Sequence, residues 1–200
     1  MINCMTDIKR VGDDINCSSG CKELVRKKLK SIVDNLKGMT KCGEQAEALA
    51  TGYMYLGSLY KYYPEKSIAC YRSGLWVLEH TFGENAKRIS DYGTTTHNLA
   101  ATLLERGEDL EEVKRLLEAA VERQQAAVDF EDSSLTKEEC VRRSVKLLKE
   151  VQMKISFKAS SEKDRRTAFK YSQPENVGNR NTQRSTSLEN IEKSTNTESI

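Results

Sequence analysis

The chain lacks any apolar run of roughly 18 residues, and no apolar stretch follows Met1-Ile2-Asn3-Cys4, so neither a membrane span nor a secretory leader is expected. It also lacks an excess of charge. Thirty-two basic against 30 acidic residues leave a formal net charge of +2, too little for an overall field that would capture nucleic acid or an anionic membrane. There are only two histidines, His80 and His97, and no HExxH, GxSxG or glycine-rich phosphate loop. The six cysteines are scattered, and Cys17-x3-Cys21 falls at an irregular boundary, which argues against a metal site, a Cys-His nucleophile pair or a secreted disulfide framework. No catalysis, cofactor, metal or small-molecule substrate is expected, and the default location is cytoplasmic. Asn16-Cys17-Ser18 has the form of a glycosylation acceptor, but without a leader it is an accident of composition.

What remains is polar and helical in character. Mean hydropathy is −0.64, low for a single compact globule of this length, so part of the chain should lie outside the core. Residues 1–19 carry turn formers (Gly12, Asp13, Asp14, Asn16) and read as a flexible arm. From Cys21 to Leu36, apolar residues fall at Leu24, Val25, Leu29, Ile32, Val33 and Leu36, the spacing of one helix face, and Gly38 closes the segment. Further helices are expected from Glu44 to Tyr62, from Pro64, suited to a first helical turn, to Thr81, from Arg88 to Arg106, and from Leu110 to Asp129. Thr136-Lys137-Glu138-Glu139 has the form of a capping box and should start a last helix reaching about Ile155. The Ser-, Thr- and Asn-rich residues 157–200 cannot bury enough surface to offset the entropy of ordering and read as a disordered tail.

The segment Tyr53-Met54-Tyr55-Leu56-Gly57-Ser58-Leu59-Tyr60 recurs as Thr96-His97-Asn98-Leu99-Ala100-Ala101-Thr102-Leu103, with an offset of 43 residues from Gly57 to Ala100. Leu56, Gly57 and Tyr60, with the stretch from Lys66 to Leu75, resemble the two helices of a tetratricopeptide repeat. Asn98 to Ala101 and Glu118 to Val121, with the linker Phe82 to Asn85, are similar to the longer variety found in kinesin light chains. The resemblance spans about residues 45–127. The second pair departs from the pattern at Val113, where alanine is usual. Small residues at Gly57, Ser67 and Gly74 would let backbones approach, Tyr53, Tyr60 and Tyr71 would fill space between pairs, and Trp76 reads as packing. The expected domain is all-α: residues 20–156 form about six helices in a short right-handed superhelix, with repeats at 45–81 and 88–129 and flanking helices capping the ends.

That resemblance implies a non-catalytic adaptor whose first helices line a concave groove for a protein or peptide partner. The repeat register turns Thr51, Met54, Tyr55, Ser58 and Tyr62 toward the groove, and in the second pair Thr94, His97, Asn98, Ala101 and Glu105. Asn98 is the leading candidate, since its amide offers both a donor and an acceptor to a peptide backbone. The groove that grips chaperone carboxylate tails is not expected, because Met54 and Ser58 stand where basic and amide residues would be needed. Two alternatives stay open: a structural subunit of a larger assembly, and RNA binding through the basic residues Arg26, Lys27, Lys28 and Lys30 of the first expected helix, although nucleic acid is not the expected partner. In the tail, Arg184 stands three residues before Ser187, a spacing that could direct a basic-preferring kinase.

Overall fold

A computed structural model describes residues 4–13, 19–38, 43–128 and 135–172. Residues 1–162 form one compact unit; residues 163–200 group separately, and of these only the helical stretch to Ser172 is described. The fold is all-α, with seven α-helices and no strand among the described residues: α1 Cys4–Asp13, α2 Ser19–Lys37, α3 Gly43–Leu59, α4 Pro64–Phe82, α5 Ser90–Glu105, α6 Leu110–Ala126 and α7 Lys137–Ser172. A 3₁₀ helix, Gly83–Arg88, links α4 to α5.

Neighbouring helices pack as hairpins. Pro64 opens α4 after a short turn in which the Tyr63 amide donates to the Tyr60 carbonyl, and α4 returns along α3. The two backbones approach closely because Gly57 leaves no room for a Cβ against the Tyr71 ring, while the Ser67 hydroxyl donates to the Gly57 carbonyl at 2.8 Å. Gly74 faces the Ala50 carbonyl and the Tyr53 Cβ in the same interface. The second hairpin, α5 and α6, turns at Gly107, whose φ of +73° suits glycine and ends α5. The Asp109 carboxylate then caps α6 by accepting from the Glu111 amide at 3.1 Å. Here the close approach is at Gly93, where an added Cβ would stand 2.9 Å from the Gln124 backbone nitrogen. Besides its own partner, α5 packs on α4 and α3, and α3 also packs on α2 and α1. One core, including Leu29, Leu49, Leu78, Leu99, Leu117 and Val151, runs through these contacts.

Three expectations need correction. The segment read as a flexible arm contains α1, whose Ile8 is fully buried and Val11 nearly so. Ile8 reaches the space beside Gly52 that Val33 also fills, so three helices meet where a flexible arm was expected to contribute nothing. At the other end, α7 continues from the expected limit near Ile155 to Ser172. No glycine or proline interrupts residues 137–172 to stop it. Phe157 is 78% exposed, but a lack of burial does not prevent helix. The expected tail beyond residue 172, with Ser187, lies outside the described residues. Finally, Trp76 is 52% exposed and stacks on His80 with ring centroids 4.0 Å apart, so it is not core packing.

The capping box at the start of α7 is half formed. The Thr136 hydroxyl oxygen accepts from the Glu139 amide at 3.2 Å, but the Glu139 carboxylate turns to Arg142 and Arg143.

Candidate functional site

The ten residues assigned to a groove do not share one environment. On α5, Thr94, Asn98, Ala101 and Glu105 recur every three or four residues and occupy one half-exposed to exposed face. The faces beside it are occupied: Tyr92, Thr96, Leu99 and Leu103 are buried, and Gly93 lies against α6. The Asn98 side chain makes no hydrogen bond among the described residues, whereas the Thr94 hydroxyl is spent on the Ser90 carbonyl at 3.1 Å. On α3, Tyr55 is half-buried, standing 43 residues before Asn98, and Tyr62, past the helix end, is 87% exposed. Ser58 bonds back to the Met54 carbonyl and lies 3.3 Å from the Tyr71 hydroxyl.

Thr51, Met54 and His97 are placed differently. Met54 is 7% exposed and Thr51 only 2%, the Thr51 hydroxyl donating to the Asp91 carboxylate of α5. The same register that aligns the repeats therefore buries these two positions, because α5 packs on α3 as well as on α4. His97 turns toward α7. Its Nδ1 lies 2.9 Å from the Ser144 hydroxyl, which donates to Gln124 Oε1 of α6 at 2.9 Å. With the serine proton directed to Gln124, His97 Nδ1 carries the hydrogen and donates to Ser144. Burial lowers the His97 pKa below the ordinary imidazole value, and the nearby Arg143 cation lowers it further.

A serine beside an imidazole has the outline of a nucleophile and its base. The geometry opposes that chemistry: Ser144 is completely buried, its proton is aimed at an amide rather than at the imidazole, and no carboxylate orients His97 among the described residues. The arrangement satisfies buried polar groups and joins α5, α6 and α7.

A second polar network, unanticipated from sequence, ties α4 to α5 and α6. The Tyr92 hydroxyl donates to the Glu79 carboxylate at 2.6 Å, the Arg123 guanidinium lies 3.8 Å from the Tyr92 ring centroid, and Arg123 donates to Thr96 Oγ1 at 2.5 Å. Burial, and then the hydrogen bond to Glu79, raises the Tyr92 pKa. The signal for this network was absent from the helical pattern, since its members are separated by up to 44 residues and belong to three helices.

Among the described residues no cluster of three or more His, Cys, Asp or Glu could hold a metal ion, and no helix is long and apolar enough to cross a membrane. Cys70 and Cys140 are free thiols, and burial pushes the Cys70 thiol up to about 11, away from a reactive thiolate. No family model, curated protein or solved structure matches the chain.

Proposed function

We propose that the chain is a non-catalytic docking protein of tetratricopeptide-like build, which holds a partner peptide or helix on the face formed by first helices of successive hairpins. The single observation that carries this reading is the row Thr94, Asn98, Ala101 and Glu105 on α5, left accessible along a helix whose Tyr92, Thr96, Leu99 and Leu103 are buried. Supporting it, α5 packs on both helices of the preceding hairpin as well as on its own partner, the arrangement that a stack of helix pairs needs in order to bury their apolar faces. The Asn98 amide, with no hydrogen bond among the described residues, can pair with one backbone amide group of an extended peptide without reading its sequence.

The test is affinity capture from native extract with the full chain, run in parallel with Asn98→Ala and Tyr55→Ala and with each variant's thermal unfolding recorded. A specific partner lost from Asn98→Ala, with the unfolding temperature kept, supports the reading. A partner retained by both folded variants sinks it and moves the search to a structural-subunit role.

A further inference from the structure

Two basic residues of α2, Arg26 and Lys37, are brought by the fold beside a row of aromatic rings. Tyr53 on α3 and Tyr60 just past its end stand seven residues apart, about two turns or 10 Å along one face. Each has a cation from α2 over its ring: Lys37 at 5.4 Å from Tyr53 and Arg26 at 5.4 Å from Tyr60. From the α4 side, Lys66 lies 5.7 Å from the Tyr60 ring and 5.1 Å from that of Tyr63. Farther along α4, Arg72 and Trp76 join Lys37 and Tyr53 around a cavity of about 310 Å³. A groove floored by α3 thus runs between α2 and α4, with cations on both walls and rings at intervals along it.

Two of these rings are accessible: Tyr63 is 53% and Trp76 52% exposed, with His80 over one face of Trp76, whereas Tyr53 and Tyr60 are half-buried against the core. Three of the four cations beside these rings already have carboxylate partners at the surface. Arg26 pairs with Glu23, Lys30 and Lys37 both pair with Asp34, and Arg72 approaches Glu112 at 3.9 Å. Such exposed pairs hold little energy and yield to a stronger anion. Lys66 has no ion pair among the described residues. The local excess of positive charge is therefore modest, since Glu23, Asp34 and Glu112 offset three of the four cations.

We infer that this groove binds single-stranded nucleic acid, its phosphates meeting Arg26, Lys37, Lys66 and Arg72 and its bases stacking on Tyr63 and Trp76. The combination of a basic groove with aromatic rings spaced along it is what sequence-independent strand binding requires. An anionic lipid surface would instead favour apolar side chains gathered on one protruding edge, and an acidic peptide would use the cations but not the ring faces.

The experiment uses the full chain and a labelled oligouridylate of about 12 nucleotides, with oligothymidylate, a duplex of equal length, polyglutamate and phosphatidylserine vesicles as further probes. Binding is read by anisotropy and by the fluorescence of Trp76, the chain's only tryptophan. The single strands should bind in the micromolar range, quench Trp76, and weaken steeply between about 50 and 200 mM salt. Tyr63→Ala and Trp76→Ala should each weaken binding about tenfold, while Lys66→Ala and Arg72→Ala should each reduce the salt slope by about one. Both α4 cations are exposed, so their variants should fold, and thermal unfolding checks this. Comparison of the two oligonucleotides decides between RNA and DNA. The inference is overturned if neither strand binds, if duplex, polyglutamate or vesicles bind as tightly, or if binding leaves Trp76 fluorescence unchanged.

Discussion

The Ser144 hydroxyl of α7 lies 2.9 Å from His97 Nδ1 of α5, joining residues 47 apart in the chain. Because burial lowers the His97 pKa, the folded protein resists protonation there while the unfolded chain does not. Above the ordinary imidazole value of 6.5 both states are neutral and this site gives no pH dependence. As pH falls below that value the unfolded state takes up the proton first, so stability is full above it and declines toward the depressed folded value. Thermal unfolding from pH 7.5 to pH 5 (roughly the window set by the imidazole value) should show a decline that His97→Gln flattens. An unchanged profile in the variant would assign the decline to other groups.

Replacing Ser144 by alanine removes a donor from Gln124 and an acceptor from His97 in a fully buried place. The loss should be about 1–3 kcal/mol, the cost of leaving buried polar groups unsatisfied. Urea unfolding measures it. A neutral result would mean that α7 shifts and water enters.

Gly57→Ala should destabilise the protein by about 1–3 kcal/mol, although alanine favours helix, because the new methyl collides with the buried Tyr71 ring. Pairing it with Tyr71→Leu should recover part of the loss in a double-mutant cycle. No recovery would show that the helices are held apart by something else.

Ile8→Ala distinguishes a packed α1 from a loose arm. Ile8 is fully buried beside Val33 and Gly52, so truncation should cost about 2–5 kcal/mol in urea unfolding. An arm that contributes nothing to the core would leave the midpoint in place.

The Cys70 thiol, raised to about 11 by burial, should be slow to alkylate at neutral pH. At pH 8 only about 0.1% is thiolate, so iodoacetamide labelling should speed up steeply with each rise in pH. Fast labelling at pH 7 would contradict the burial seen for this side chain.

The helices of the two hairpins were legible because each buries a stripe that repeats every three or four residues, and Pro64 and Gly107 mark where the chain turns. Helix α1 was not, because its buried side chains Ile8 and Val11 are too few to establish a period and Gly12 and Asp13 suggest a turn. The far end of α7 was missed for the opposite reason: its sequence carries no apolar stripe to detect. Of the positions expected on α5, Thr94, Asn98, Ala101 and Glu105 share the accessible face that the repeat register gives them, whereas His97 turns to α7. The burial of Thr51 and Met54 could not be read from that register, since it depends on how closely α5 approaches α3. Trp76 was assigned to packing because composition marks an aromatic residue as apolar bulk and says nothing about which rings remain uncovered.

The burial of Ser144 also sets the longitudinal position of α7. Apolar side chains such as Leu147, Leu148 and Val151 would tolerate sliding past the other helices, since dispersion and hydrophobic burial are nearly non-directional. Displacement by one helical turn, about 5.4 Å, would carry the hydroxyl away from both Gln124 and His97 and strand three polar groups. A single serine thus works as an index mark on a long helix, rejecting neighbouring alignments that the apolar contacts alone would accept.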